Sequence, residues 1–425
     1  IVLMQITILV VTTIAAFTGR QIKQKRGAQL DMNTSKLVMT MLGGACLAGA
    51  GTAQAVNWQA GDWTLGLGGN INAFYTVTSC DTGDLNSGGT TLAGLACGST
   101  DDDAHSVSNG LLPASLNFST TTNQNGYDLA AHVNVYYGIA SQGGGSSDAL
   151  AFSTVDARQV YLTFGNDGMG TVLMGRNFGL FGLDAILNDI SLVGSGPTFT
   201  ADNPGHTTLG GLGYGYVYVD RLAQINWTTP AMGGFSATIG IFNPMNGNAN
   251  GSTSQGQDSP GIHGKASYKW DGDVNGLVSA TFITQDVDLA GGSESTMRGW
   301  DLFGKLGFGD LGLAAYVYDG EGMSSLALGG LVLPGFDAAT GDAEETSGYY
   351  LQGTYKIGNT KLGLNWSESE QEKITEVENT RITLGVYHNL TPALTLMAEY
   401  SDMESETSAG SDDTNALNVG AILFF

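Results

Sequence analysis

Strict two-residue alternation of apolar and polar side chains, sustained over segments of ten residues and more, constrains this chain more than any other feature. From Trp63 onward, Trp63, Leu65, Leu67, Ile71, Ala73, Tyr75 and Val77 fall on one face of an extended strand, and Thr64, Gly66, Asn70, Asn72 and Thr76 on the other. An apolar face backed by small polar residues over that length fits a strand with hydrocarbon on one side and water on the other. The rhythm returns in Leu129, Ala131, Val133, Val135 and Tyr137 against Asp128, His132, Asn134 and Tyr136, and again in Phe235, Ala237, Ile239 and Ile241. It ends with Leu417, Val419, Ala421, Leu423 and Phe425 on a single face. An apolar strand left at the open edge of a soluble sheet invites aggregation. Here it has a better use, which is to pair with the first strand and close a cylinder. The pattern predicts an all-β fold, a transmembrane antiparallel β-barrel of about 16 strands whose connections alternate long and short. A soluble sandwich would have shorter strands and no such alternation. Trp63, Trp227, Trp270, Trp300, Trp366 and Tyr400 lie near strand ends, where interfacial girdles place aromatics.

Composition excludes the competing classes. With 42% hydrophobic and 13% charged residues, the chain is too apolar for disorder and too sparsely charged for an ordinary soluble domain. No run of eighteen apolar residues follows residue 17, which excludes a helical membrane protein. A formal charge of −24 argues against nucleic acid as a partner. Met32–Ala55 has an early lysine, an apolar middle and Ala-Gln-Ala at its end, and is expected to be a secretory signal peptide. Residues 1–31 are expected to lie upstream of the true start, the alternative being an inner-membrane anchor over Ile1–Phe17. One domain, residues 56–425, is expected to form the barrel. Of the 16 Lys+Arg and 40 Asp+Glu, five basic residues and one acid precede residue 56, which leaves 11 basic residues against 39 acids. Cys80 and Cys97 remain in that domain, and an oxidising compartment favours a disulfide between them, worth about 3 kcal/mol in the chain-entropy model.

One stretch breaks the rhythm. RQVYLTFGNDGMGTVLMGR, from Arg158 to Arg176, reads as strand, tight turn, strand. The next segment, NFGLFGLDAILNDISLVGSG, keeps no period of two, and AILNDISL fits one or two helical turns. PTFTADNPGHTTLGGLGYG then brings a run of turn residues. A loop of roughly forty residues inside a regular β pattern is usually functional, and this one is expected to fold into the bore and set its width. Asp184 and Asp189 are the candidate acids of the narrowest point. They are five apart and need not share a face of a short helix, and solvated or capping roles stay open for both. Arg158 and Arg221 are candidate bases. Alternation groups them with the apolar pairs Val160/Leu162 and Ala223/Ile225, but they sit at strand ends where a bulge or a subunit contact re-aims a side chain. Lys305, Asp301, Lys361, Arg381 and His132 have inward parity and read as polar lining. Asp101–Asp103 and Glu368–Glu372 offer oxygens for hard cations but no defined loop geometry, so no metal site and no cofactor is expected. The five histidines form no HExxH, and no G-x-S-x-G elbow is present. The chain is not expected to be an enzyme.

RQVYLTFGNDGMGTVLMGRNFGLFG, the long loop after it, the alternating strands and the terminal Phe425 together resemble the Gram-negative general porin family across the whole domain. The resemblance implies sixteen strands per barrel, three barrels per assembly and a third loop folded inward. It implies an eyelet in which acids on that loop face bases on the wall, with Arg176 matching the wall arginine at the loop's start. It implies that the terminal strand, with Leu423 and Phe425, is read by the barrel-assembly machinery, and that the chain sits among outer-membrane lipid and lipopolysaccharide. Small hydrophilic solutes and ions would then cross it passively. Eleven bases cannot make a dense basic cluster, so a weak cation preference is expected. The alternatives are a substrate-selective barrel, with Asn177–Asp220 binding one solute class, and an adhesion or receptor barrel whose bore is incidental.

Overall fold

The computed structural model describes residues 56–81, 91–97, 103–139, 155–197, 207–246, 258–289, 292–324, 330–337 and 340–425. The expected signal peptide and its upstream extension, Cys46, Asp101, Asp102, His206 and the side chain of Cys97 lie outside the described residues.

In chain order the strands are β1 (Val56–Ala60), β2 (Trp63–Asp81), β3 (Ala104–Ser108), β4 (Ala114–Gln124), β5 (Tyr127–Tyr137), β6 (Val155–Asn166), β7 (Gly170–Phe178), β8 (Arg221–Thr228), β9 (Phe235–Phe242) and β10 (Gly261–Trp270). They continue with β11 (Val274–Asp288), β12 (Glu294–Phe308), β13 (Leu311–Glu321), β14 (Met323–Ser324), β15 (Leu333–Pro334), β16 (Glu345–Ile357), β17 (Thr360–Glu372), β18 (Val377–Asn389), β19 (Leu394–Thr407) and β20 (Gly410–Phe424). Each stave pairs antiparallel with its neighbours, and β20 returns to β2 from Asn70↔Phe424 up to Asp81↔Asp413. The result is a closed barrel of sixteen staves, as the sequence pattern predicts. β1 folds back on the lower end of β2, and β14 pairs only with β15 in the loop after β13.

The burial pattern inverts that of a soluble protein. Ile71, Tyr75, Leu364, Leu384, Leu417 and Val419 are exposed on the outer face, whereas Asn70, Asn72, Thr76, Asn365 and Asn418 are buried inside. Hydrocarbon satisfies the first set, and closing the sheet leaves no unpaired edge for the membrane to penalise. The chain end takes part in closure, since Gly69 N–H donates to the Phe425 carbonyl at 2.9 Å and Phe425 N–H to the Gly69 carbonyl at 3.1 Å.

Three segments depart from the expected boundaries. The strand expected over Leu111–Thr121 is β4, begun three residues later, and beyond a break the same stave continues as β3, in residues expected as loop. At the break, Leu111 N–H donates to the Gly194 carbonyl at 3.0 Å, and Thr208 N–H donates to the Gly110 carbonyl at 3.2 Å. The long loop has captured backbone groups that the sheet would otherwise pair. Glu-rich residues 368–378, expected as a loop, are mostly strand: β17 runs to Glu372 and β18 starts at Val377. β19 and β20 likewise meet at Thr407↔Gly410, where a longer loop was expected.

Inside the barrel lies an apolar cluster. Phe181, Ile186, Tyr214, Tyr216 and Tyr218 from the long loop pack with Phe303, Tyr316, Tyr318 and Tyr350 of the wall. A short helix, α1 (Leu92–Cys97), joins them from the first long connection, with Leu92 and Ala93 fully buried.

Candidate functional site

The loop Gly179–Asp220 leaves and rejoins the wall at one neck, where Gly179 N–H donates to the Asp220 carbonyl at 2.8 Å. Its helix α2 (Leu183–Asn188) begins after Gly182, whose φ of 69° is left-handed. A Cβ at Gly182 would stand 1.9 Å from the Val217 carbonyl oxygen, so glycine is required twice over. Gly182 N–H donates to the Asp301 carboxylate at 2.7 Å, which aligns the helix with β10–β12.

From there the loop follows the inner wall. Asp184 pairs with Lys265 Nζ at 2.6 Å and accepts from the Ser279 hydroxyl. Lys305 Nζ donates to Asn188 Oδ1 at 2.8 Å. Gln352 grips the next turn with both ends of its amide, accepting from Ile190 N–H and donating to the Asn188 carbonyl, each at 2.8 Å. Further round, Glu399 accepts from Ser195 N–H at 2.8 Å, Gly196 N–H at 2.9 Å and the Tyr387 hydroxyl at 2.6 Å. The returning limb is tied by Ser369 to the Gly213 carbonyl and by Arg381 to the Gly210 carbonyl. Tyr218 N–H donates to the Gly330 carbonyl and Val332 N–H donates to the Tyr218 carbonyl, each at 3.1 Å, which docks the loop after β13 onto it.

The two candidate acids have different fates. The Asp189 carboxylate is sealed. It caps Ser191 N–H at 2.9 Å, accepts from Gly211 N–H and Tyr216 Oη at 2.8 Å each, and faces Arg381 at 3.8 Å. Its capping role, one of the two open readings, is the one its hydrogen bonds carry out, and the carboxylate is not presented to the bore. The Asp184–Lys265 pair keeps side-chain exposures of 12% and 17%, so it alone of the two touches water.

On the wall formed by β5–β8, Arg158 and Arg221 meet. Asn134 pairs with Gln159 and Val135 with Ala157, so Arg158 is the extra residue of a β-bulge. The bulge brings its guanidinium to 5.2 Å from the Tyr136 ring centre, and Nε donates to Asp156 at 2.6 Å. Arg221 follows Asp220, a non-glycine residue at φ 55°. That kink turns its guanidinium over the rings of Tyr136 at 5.3 Å and Phe178 at 4.7 Å. Burial acts to raise the Asp220 carboxyl, but the charge and hydrogen bond of Arg221, the charge of Arg158 and the Tyr218 hydroxyl outweigh it. The group is held below the ordinary carboxylate range.

Arg176 joins neither group, and its expected place at the eyelet is corrected. It is exposed, shares the outward face with Met174, and has Val160 and Ala223 as cross-strand partners. No bulge interrupts the alternation before it. Lys265, Gln352 and Glu399 are the contacts that sequence reasoning missed. Inward parity within HGKASYKW was a usable signal for Lys265. Cys80 is disulfide-bonded.

A sixteen-stave barrel whose longest described loop lines its own interior is the architecture of an outer-membrane channel former. A model of the Gram-negative porin family matches residues 40–408, and the chain belongs to that family. Its place is therefore the outer membrane. No curated protein matches the chain. Among solved structures it is similar to the anion-selective porin from Comamonas acidovorans, at 16% identity and a TM-score of 0.60, covering 85% of this chain and 100% of that one. It is similar to the outer membrane channel DcaP of Acinetobacter baumannii at 14% identity and a TM-score of 0.64, covering 87% of this chain and 100% of that one. OmpF of Salmonella typhi, solved in complex with daunomycin, aligns at 14% identity with a TM-score of 0.57 over 87% of this chain and 100% of its own.

Proposed function

We propose that the protein is a passive channel for small hydrophilic solutes and ions, working as a homotrimer and without catalysis. The observation that carries this reading is the loop Gly179–Asp220, fixed along the inner wall by Asp301, Lys265, Gln352, Arg381 and Glu399 rather than lying over the mouth. A loop pinned in this way narrows the bore and has no need to move for solute to pass. Selectivity then follows from width and from the charges beside the passage. Glu370, Glu378, Glu406 and Asp413, on the outward face of β17–β20 beyond the apolar band, put negative charge on the outer surface beside the external mouth, and a weak cation preference overall is the corresponding expectation. Met32–Ala55 as the export signal, the Cys80–Cys97 disulfide, Leu423 and Phe425 as the assembly signal, and contact with lipopolysaccharide belong to the same reading.

The test is planar-bilayer conductance of the full chain beside a variant lacking Leu180–Ser195. We expect triplet ohmic steps, and steps several-fold larger in the deletion. Equal conductance in the two would remove the loop from the narrowest point. Wild-type current blocked by one neutral sugar alone would favour the substrate-selective alternative.

A further inference from the structure

The inward-facing lysines of β10–β17 gather at one end of the barrel. At the other end of β17–β20 carboxylates stand directly across the ladder from one another on the outward face, Glu370 opposite Glu378 and Glu378 opposite Glu406. At the short-turn end it is the inner face that is charged, and it carries lysines. Lys305 points inward, since it reaches Asn188 of the loop. Lys361 points inward, since its ammonium lies 4.5 Å from the ring centre of Tyr387, a residue buried inside the barrel. Lys356 is the cross-strand partner of Lys361 and shares its face. Lys269 follows Lys265 by four residues on β10, on the same face, and its row runs through Leu277 to Lys305.

Two lysines directly opposite on an antiparallel ladder, with Cα atoms about 5 Å apart, repel each other. Nothing in the described wall relieves that repulsion, because Lys269, Lys356 and Lys361 make no ion pair among the described residues. The carboxylates that act on Lys361 are Glu399 and Asp189, and both are already hydrogen-bonded to the loop. The acids nearest in sequence, Asp271, Asp273 and Asp310, are exposed in the turns. A small anion carrying several charges satisfies this arrangement better than any side chain present.

We propose that Lys269, Lys305, Lys356 and Lys361 form a binding arc for small multivalent anions, carboxylate or phosphate, on the periplasmic half of the bore. The inference rests on the channel reading above. It places fixed positive charge at the periplasmic end of the bore and makes the channel asymmetric towards anions.

The test uses the full chain in planar bilayers at 0.1 M KCl, where charges are screened over about 10 Å. Citrate and, separately, tripolyphosphate are added to one compartment and then to the other, with orientation read from a protease-sensitive tag in an external loop. We expect block from the periplasmic side at lower concentration than from the external side. The Lys356→Gln/Lys361→Gln double variant should need about tenfold more anion, the loss of roughly one charge-assisted contact. Should that pair disturb assembly, Lys269→Gln/Lys305→Gln provides a second reading with the same expectation. Block by both anions assigns the arc to charge, and block by tripolyphosphate alone assigns it to phosphate. Equal sensitivity from the two sides, or undiminished block in both double variants, overturns the proposal while leaving the channel intact. Absence of conductance steps removes the channel reading and this one with it.

Discussion

Asp184 and Asp189 sit five residues apart on one loop, and each meets a cation of the same wall, yet the two contacts do different work. Asp189 has a fully buried side chain facing an Arg381 that is 1% exposed, and three further donors crowd its carboxylate. Asp184 and Lys265 stay in touch with water. Removing two charges from water costs more than their attraction returns unless other hydrogen bonds complete the shells. Ser191, Gly211 and Tyr216 do that for Asp189, which makes this pair an anchor for the loop. Asp184, paired with Lys265 but still partly exposed, stays within reach of what passes. Acid count along a loop therefore says little about pore charge until the partner of each acid is known.

The strongest way to break this contrast is Arg381→Ala. It strands the Asp189 carboxylate without its cation, a loss of about 3–5 kcal/mol. We expect a lower melting temperature on heat-modifiability gels and noisy, enlarged conductance steps as the loop comes free. Wild-type melting with quiet steps would show that the anchor lies elsewhere. Asp184→Asn should act in the opposite register. Its ion pair keeps some contact with water, so melting should fall less than for Arg381→Ala, while the reversal potential across a KCl gradient moves towards anions. A variant that melted early with unchanged selectivity would exchange the roles of the two acids.

The wall of β5–β8 provides a pH test. Asp220 titrates below its ordinary 3.8, so its pairing with Arg221 stabilises the fold fully above that value and is lost only as pH falls further, through the folded-state pKa. The melting difference between wild type and Asp220→Asn should therefore be the same at pH 7 and pH 5, and should shrink at pH 3. A difference that had closed by pH 5 would mean that Arg221 does not hold the carboxyl down.

The barrel was legible because lipid and water impose opposite demands on alternate residues, and Ile71 against Asn72 records them without help from distant sequence. The break between β3 and β4 was not legible, because its cause is Gly194, more than eighty residues away, arriving at Leu111. Residues 368–378 misled through polarity. Their strands extend beyond the hydrocarbon, where both faces are wet and the alternation of apolar with polar loses its meaning, yet the ladder hydrogen bonds continue. Asp184 and Asp189 were visible as candidates, but their division of labour depends on Lys265 and Arg381, which only the closed barrel brings near. For Arg158 the strand-end position signalled an exception, while the bulge that executes it depends on pairing with Asn134 and Val135.

Arg176→Gln is the smallest effect and the sharpest check on placement. Arg158 and Arg221 escape the outward face through a bulge and a left-handed residue respectively, and both guanidiniums end over Tyr136. Arg176 follows Gly175 at φ 130°, but the β6–β7 register continues through it without a bulge, and Arg176 stays beside Met174 and Val160. Neutralising an inward arginine would change the field in the passage, but neutralising an outward one changes only what the barrel presents to lipid or to a neighbouring barrel. Conductance and reversal potential of Arg176→Gln should therefore match wild type, while Arg158→Gln should move the reversal potential towards cations. If Arg176→Gln moved it as far as Arg158→Gln, the guanidinium would have to reach the bore, and β7 would need a register one residue away from the one that pairs Arg176 with Val160.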